Sequence, residues 1–184
     1  MPSGHQLRTA ARLVRLGGVI AYPTEAVFGL GCAPADHGAV ARLLAIKQRP
    51  VSKGLILVAA NCDQLAPWLA DLPVSLENRL RKSWPGPNTW LVPAASDCPA
   101  WLTGEHDTLA VRVSAHPLVT ALCERCGSAL VSTSANISTL LPARSTLEVQ
   151  LRLGRYLDYI LGGEVGGNAQ PTSIRDLLTG KRIR

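Results

Sequence analysis

The run Gly54-Leu55-Ile56-Leu57-Val58-Ala59-Ala60 carries no polar side chain at all. A strand with one wet face alternates apolar and polar residues, so a continuous apolar run reads as a strand covered on both faces. That requirement points to an α/β architecture. The flanking pattern agrees. Leu7, Ala11 and Val14 recur at helical spacing and stop at Gly17-Gly18, and Gly18 to Tyr22 then reads as a central strand closed by Pro23 and Thr24. Asp36 suits an N-cap, after which Val40, Leu43, Leu44 and Lys47 repeat at helical spacing up to the next strand. At 184 residues, one domain spanning 1–184 is expected.

Composition supports a folded core. Hydrophobic residues make up 47% and charged residues 17%, which excludes disorder as the main state. The net charge of +6 comes from 15 Arg and 4 Lys against 13 acids, an Arg-weighted excess that favours phosphate-bearing partners and also serves solubility. Five cysteines form an odd set without framework spacing, so a reducing compartment, the cytoplasm, is expected. Cys123 and Cys126 form a single C-x-x-C pair on a helical pattern, and core packing is expected there ahead of zinc or redox chemistry. The N-terminus lacks the apolar core of a signal peptide, and no apolar run approaches the roughly 20 residues of a membrane span. No membrane partner is expected.

Further along, Thr24 to Pro34 holds too many glycines for a helix and reads as a loop at a strand end, carrying one acid, Glu25, in an apolar setting. Helices are expected from Asn61 to about Trp68, over Pro73 to Ser83 with Leu76 and Leu80 inward, over His116 to Cys126 and over Ser145 to Leu153. Trp90 to Pro93, Thr108 to Val113, Ser128 to Val131 and Tyr156 to Leu161 read as strands, and Ser173 to Leu177 with Lys181 to Arg184 as a closing hairpin. Trp84 to Thr89 is irregular, Ala94 to Asp107 reads as a flap, and Gly162-Gly163 with Gly166-Gly167 as a flexible turn.

Three cations fall within Lys47 to Gly54, namely Lys47, Arg49 and Lys53, between a helix pattern and a strand. A rigid Arg fork beside mobile Lys charges suits a polyphosphate or acid clamp, while the same run also suits a solvated helix end. Arg112 stands inside an otherwise apolar strand and either meets an anion in a site or reaches solvent from the strand end. Ser132, Thr133, Ser134 and Asn136 place hydroxyl and amide groups at a strand end, where they can bind oxyanions or cap turns. Phosphate-loop, dinucleotide, H-E-x-x-H and G-x-S-x-G templates are all missing, and aromatics are only 4%. The surviving set, Thr24, Lys47, Arg49, Arg112, Ser132, Ser134 and Asn136, suits a triphosphate plus a small carboxylate.

The blocks Tyr22-Pro23-Thr24-Glu25-Ala26-Val27-Phe28-Gly29-Leu30-Gly31-Cys32, Lys47-Gln48-Arg49-Pro50, Trp84-Pro85-Gly86-Pro87, Ala110-Val111-Arg112-Val113 and Ser132-Thr133-Ser134-Ala135-Asn136 occur in this order. Together they resemble the YrdC-like family of threonylcarbamoyl-AMP synthases, with the short length of its bacterial TsaC branch. The resemblance implies a single YrdC-like domain, a twisted mixed open sheet with helices on both faces around a large basic cavity. It implies formation of L-threonylcarbamoyl-adenylate and pyrophosphate from L-threonine, bicarbonate and ATP with Mg²⁺, ahead of enzymes that transfer the threonylcarbamoyl group to tRNA. The family's K-x-R and S-x-N elements fall on Lys47, Arg49, Ser134 and Asn136, expected as catalytic. Lys53, Arg112 and Ser132 are expected on the nucleotide with them, and Tyr22, Thr24 and Arg49 on threonine. No protein metal ligand is assigned, and a monomer is expected. One departure stands out: Ile137-Ser138-Thr139 replaces a hydrophobic-Ser-Gly sequence, putting β-branched Thr139 where the family has glycine. The rival reading is a non-catalytic module gripping double-stranded RNA or tRNA in the same cavity.

Overall fold

The computed structural model describes residues 2–167 and 172–183. Among these residues eight strands form one mixed sheet: β1 (Ile20–Pro23), β2 (Phe28–Cys32), β3 (Ile56–Ala59), β4 (Asn88–Pro93), β5 (Thr108–Val113), β6 (Leu130–Ser134), β7 (Tyr159–Ile160) and β8 (Ser173–Asp176). Their spatial order is β7-β1-β2-β6-β3-β5-β4-β8. Strand β3 runs parallel to β5, and β6 inserts antiparallel between β2 and β3. The apolar run therefore lies mid-sheet as expected, whereas β1 lies second from one edge instead of at the centre.

Among the described residues six α-helices cover the two faces. On one face α1 (Gly4–Arg15) and α5 (Pro117–Cys126) pack Leu7, Ala11, Val14, Leu118, Leu122 and Cys123 over Ile20, Tyr22, Val58 and Leu130. On the other, α2 (His37–Lys47), α3 (Val74–Ser83), α4 (Ala100–Thr103) and α6 (Thr146–Leu153) bury Phe28, Leu30, Leu57, Val111 and Val131. Local chemistry fixes the ends. Ser3 and Gln6 form a reciprocal capping box for α1, Asp36 accepts the Ala39 N–H at 2.9 Å, and Ser145 accepts that of Glu148 at 3.2 Å. Cys123 and Cys126 are buried free thiols of the α5 packing face.

Several expected elements differ. Thr24 to Pro34 is only in part a loop, because Phe28 to Cys32 is a fully buried strand. Its glycines serve close packing: a Cβ on Gly31 would stand 2.7 Å from the Tyr22 ring and 2.7 Å from the Val131 carbonyl. Asn61 caps a turn through the Gln64 N–H at 3.1 Å, and only a single 3₁₀ turn, Ala66–Trp68, follows, since Pro67 withholds a donor. Ser132 to Ser134 belongs to β6 and does not follow it. The strand expected over Tyr156 to Leu161 shrinks to two residues beside β1. The expected flap contains α4, whose Leu102 carbonyl accepts the Leu55 N–H at 2.8 Å, so the segment is tied to the sheet. Gly166 is likewise held, its N–H donating to the Thr24 carbonyl at 2.8 Å. The closing hairpin forms through Ile174 and Ile183, while Arg184 lies outside the described residues. No described helix is long and apolar enough to cross a membrane.

Candidate functional site

Helices α1 and α5 cover only one end of their face, and the other end is an open cleft of about 570 Å³. Its floor follows from the register. Side chains alternate along strands, so Gly29, Ser132 and Ser134, Ile56 and Val58, Ala110 and Arg112, and Thr89 and Leu91 all point the same way. The walls are the β1–β2 loop from Thr24, the stretch Arg49 to Leu55, and Leu102 to His106.

Six of the sequence-expected residues line this space together: Thr24, Arg49, Lys53, Arg112, Ser132 and Ser134. Arg49 donates to the Gly54 carbonyl at 3.0 Å and to the Lys53 carbonyl at 3.2 Å, which fixes the guanidinium along the wall. Gly54 has φ 59°, and a Cβ there would stand 2.7 Å from the Thr103 carbonyl, so glycine is needed to close this corner. Thr24 Oγ1 donates to the Val27 carbonyl at 2.7 Å and stiffens the loop opposite.

The remaining three stand behind the lining. Tyr22 is fully buried under the floor and donates its hydroxyl to Ser132 Oγ at 2.9 Å; burial pushes its pKa far up, so it remains a neutral donor. Lys47 is 3% exposed and donates to the Ser134 carbonyl and to Asn136 O and Oδ1. Burial, then the Arg49 charge, lower its pKa to about 8. Ser134 Oγ donates in turn to Asn136 Oδ1 at 2.6 Å, and the Asn136 amide reaches the Ile137 and Leu140 carbonyls. Lys47 and Asn136 thus brace the end of β6 that presents Ser134.

Arg112 resolves the alternative left open by the sequence: it is 6% exposed and meets Glu25 Oε2 at 3.2 Å. Glu25 Oε1 accepts from Ser114 Oγ at 2.7 Å, and the same oxygen of Ser114 accepts the His116 N–H at 3.1 Å. Burial lowers the pKa of His116. Sequence reasoning noted the acid but left Glu25 and Ser114 out of the site. The available signals were an acid directly after Thr24 at a strand end, and a serine two residues past Arg112, hence on the same side of the chain. Thr89 and Thr172, whose hydroxyl oxygens lie 3.2 Å apart, close the far end and were also missed.

Electrostatically the lining carries Arg49, Lys53 and Arg112 against Glu25, with His106 at the rim. Among the described residues no three His, Cys, Asp or Glu side chains converge, and Glu25 is the one acid of the lining. Fixed cations beside hydroxyls can bind and orient phosphate or carboxylate oxygens.

Comparison with known proteins bears on the family and the fold. A threonylcarbamoyl-AMP synthase of Pseudomonas aeruginosa is 56% identical over 184 residues, covering 100% of this chain and 99% of that one. One from Nitrosococcus oceani is 55% identical over 179 residues, 97% of each chain. Among solved structures, P. abyssi Sua5 complexed with L-threonine superposes with TM-score 0.87 at 32% identity, over 94% of this chain and 51% of that one, so this chain spans about half of that protein. E. coli YciO gives TM-score 0.82 at 28% identity, over 96% and 85%. The Sua5/YciO/YrdC family model, described as telomere recombination, matches residues 12–184. With a family model matched over residues 12–184 and relatives of 55% and 56% identity along nearly the whole chain, the chain belongs to the Sua5/YciO/YrdC family.

Proposed function

We propose that this chain is a threonylcarbamoyl-AMP synthase, joining L-threonine, bicarbonate and ATP into L-threonylcarbamoyl-adenylate with release of pyrophosphate. The observation that carries the reading is the meeting of Arg49, Lys53, Arg112, Thr24, Ser132 and Ser134 in one cleft of a chain 55% or more identical to full-length synthases of that name. The cleft volume, about 570 Å³, lies within the usual range for small-molecule sites.

The threonine amine, as its free base, forms a C–N bond with bicarbonate, expelling water, or with CO₂, releasing a proton, and gives a carbamate. A carbamate oxygen attacks the α-phosphorus of ATP; that O–P bond forms, the bond to the bridging oxygen breaks, and pyrophosphate leaves. The nucleophile is already an anion, so the adenylation step needs no strong general base. Positioning and charge neutralisation carry the work. In this reading Arg49 and Lys53 meet phosphates, Arg49 also the threonine carboxylate, and Arg112, Ser132 and Ser134 the nucleotide. Thr24 holds threonine at the loop. Lys47 and Asn136 set Ser134, and Tyr22 sets Ser132, from behind the lining. Mg²⁺ would enter with the nucleotide, held by its phosphates and lowering their charge. The reaction makes the chain a nucleotidyltransferase whose product serves enzymes that modify tRNA. We place it, with its five free thiols, in the reducing cytoplasm as a monomer.

The test is pyrophosphate release measured with each substrate omitted in turn. Release that requires threonine, bicarbonate and ATP together supports the reading, and Arg49→Ala should lower it by about 100-fold or more, the scale of losing a fixed charge at a reacting phosphate. Salt-sensitive RNA binding without threonine-dependent release would favour the RNA-binding module instead.

A further inference from the structure

One charged group of the cleft has no task in that mechanism. Glu25 sits in the loop between β1 and β2, on the lining, immediately after Thr24. Its carboxylate can accept about four hydrogen bonds. Oε1 takes one from Ser114 at 2.7 Å. Oε2 faces Arg112 at 3.2 Å, yet it is buried without a well-formed hydrogen bond, as is Arg112 Nε. A buried pair whose task is purely structural has its remaining hydrogen-bonding positions filled, because an incomplete one is destabilising. Glu25 and Arg112 nonetheless line the cleft, and it is the 12% of the Glu25 side chain that remains exposed which a ligand can reach.

The chemistry of the proposed substrate calls for an acid at this place in the lining. Threonine brings an ammonium as well as a carboxylate and a hydroxyl. Arg49 and Lys53 attract the carboxylate and repel the ammonium. Among the described lining residues, Glu25 is the one acid able to offset that repulsion. Ser114 and Arg112 hold its carboxylate from two sides, fixing where an incoming N–H donor must point. Thr24, whose hydroxyl is already tied to the Val27 carbonyl, keeps the loop backbone from yielding.

We propose that Glu25 receives the α-ammonium of the amino-acid substrate, with Arg112 and Ser114 as the positioning residues that keep its carboxylate aimed. The site then selects α-amino acids over α-hydroxy acids of the same skeleton. The proposal rests on the synthase reading above and adds the group that recognises the amine.

The test compares L-threonine with 2,3-dihydroxybutanoate, the same skeleton bearing hydroxyl for amine, as ligands of the wild-type chain and of Glu25→Gln. Wild type should prefer threonine by about tenfold or more, the usual scale for one well-placed charge-assisted contact. Glu25→Gln should lose most of that preference, with KM for threonine raised and KM for ATP nearly unchanged. Glu25→Asp keeps the charge, withdraws it by one methylene, and carries the same test should thermal unfolding show that Glu25→Gln does not fold. Equal weakening of both ligands, or an unchanged preference in a folded variant, would overturn the proposal while leaving threonine-dependent turnover intact. A wild-type chain that binds no threonine would overturn the synthase reading and this one with it.

Discussion

Lys47 Nζ donates to both oxygens of Asn136, the carbonyl at 2.9 Å and the side-chain amide at 3.1 Å. A third bond runs to the Ser134 carbonyl. From the resemblance, Lys47 is expected as a catalytic, nucleotide-binding cation. Its burial implies a structural cost as well. Lys47→Ala should lower stability by about 2–4 kcal/mol, combining a buried cavity with abandoned carbonyl acceptors, and should also abolish pyrophosphate release through misplacement of Ser134. Urea denaturation checks the first part, and a midpoint equal to wild type would show that water replaces the ammonium.

The same lysine gives stability a pH dependence of definite sign. Its pKa falls from 10.5 to about 8 in the fold, first by burial and then by the charge of Arg49. Between these values the unfolded chain binds more protons than the folded one, so stability rises with pH across the window; the penalty is fully present below pH 8. Buried thiols act oppositely, since Cys126 is pushed up to about 11 and Cys32 to about 12, and this contribution falls away above pH 9. The difference between wild type and Lys47→Met removes the thiols from the comparison. It should move in favour of wild type by on the order of 3 kcal/mol between pH 8 and 10.5.

Arg112 and Glu25 should behave as one unit under mutation. Arg112→Met alone strands a buried carboxylate and should cost about 3–5 kcal/mol. Combining it with Glu25→Gln should cost less than the sum of the single changes by about 1–3 kcal/mol. A double-mutant cycle by chemical denaturation measures the coupling, and strict additivity would mean that the two charges are solvated independently.

Thr139 occupies φ 75°, a region that a β-branched side chain adopts only under strain, and its side chain is exposed. Here the glycine expected from the family pattern is missing while the backbone conformation that calls for it persists. Thr139→Asn should raise stability by about 1 kcal/mol, because Asn tolerates this conformation without the entropy cost of Gly. The melting temperature reports it.

How far the sequence could be read depends on which residues are asked about. Asp36, Ser145 and the apolar run at Leu55 announced their elements because caps and periodicity act locally. Gly29 and Gly31 misled, since composition alone cannot separate a glycine that permits a turn from one that lets an aromatic ring lie against the backbone. The difference exists only once Tyr22 is known to cross over Gly31. For the site, cations and hydroxyls at strand ends were legible by type. Which of them face the cleft, and that Lys47 and Asn136 stand behind Ser134, required the register of β2 on β6. Glu25 was visible as a lone acid, but its partner Arg112 lies far along the chain.

Strand β6 fills the gap between β2 and β3 although it arrives late in the chain, and Tyr22 meets Ser132 across 110 residues. Closing so long a loop is entropically unfavourable until the strands on both sides reward it, which makes assembly of such a sheet slow relative to its local helices. A nascent chain that ends before Leu130 holds most of the floor residues but lacks the strand that joins β2 to β3. Binding competence therefore emerges with the last stage of folding, and a truncated or partly folded chain exposes two strand edges and not a half-working site.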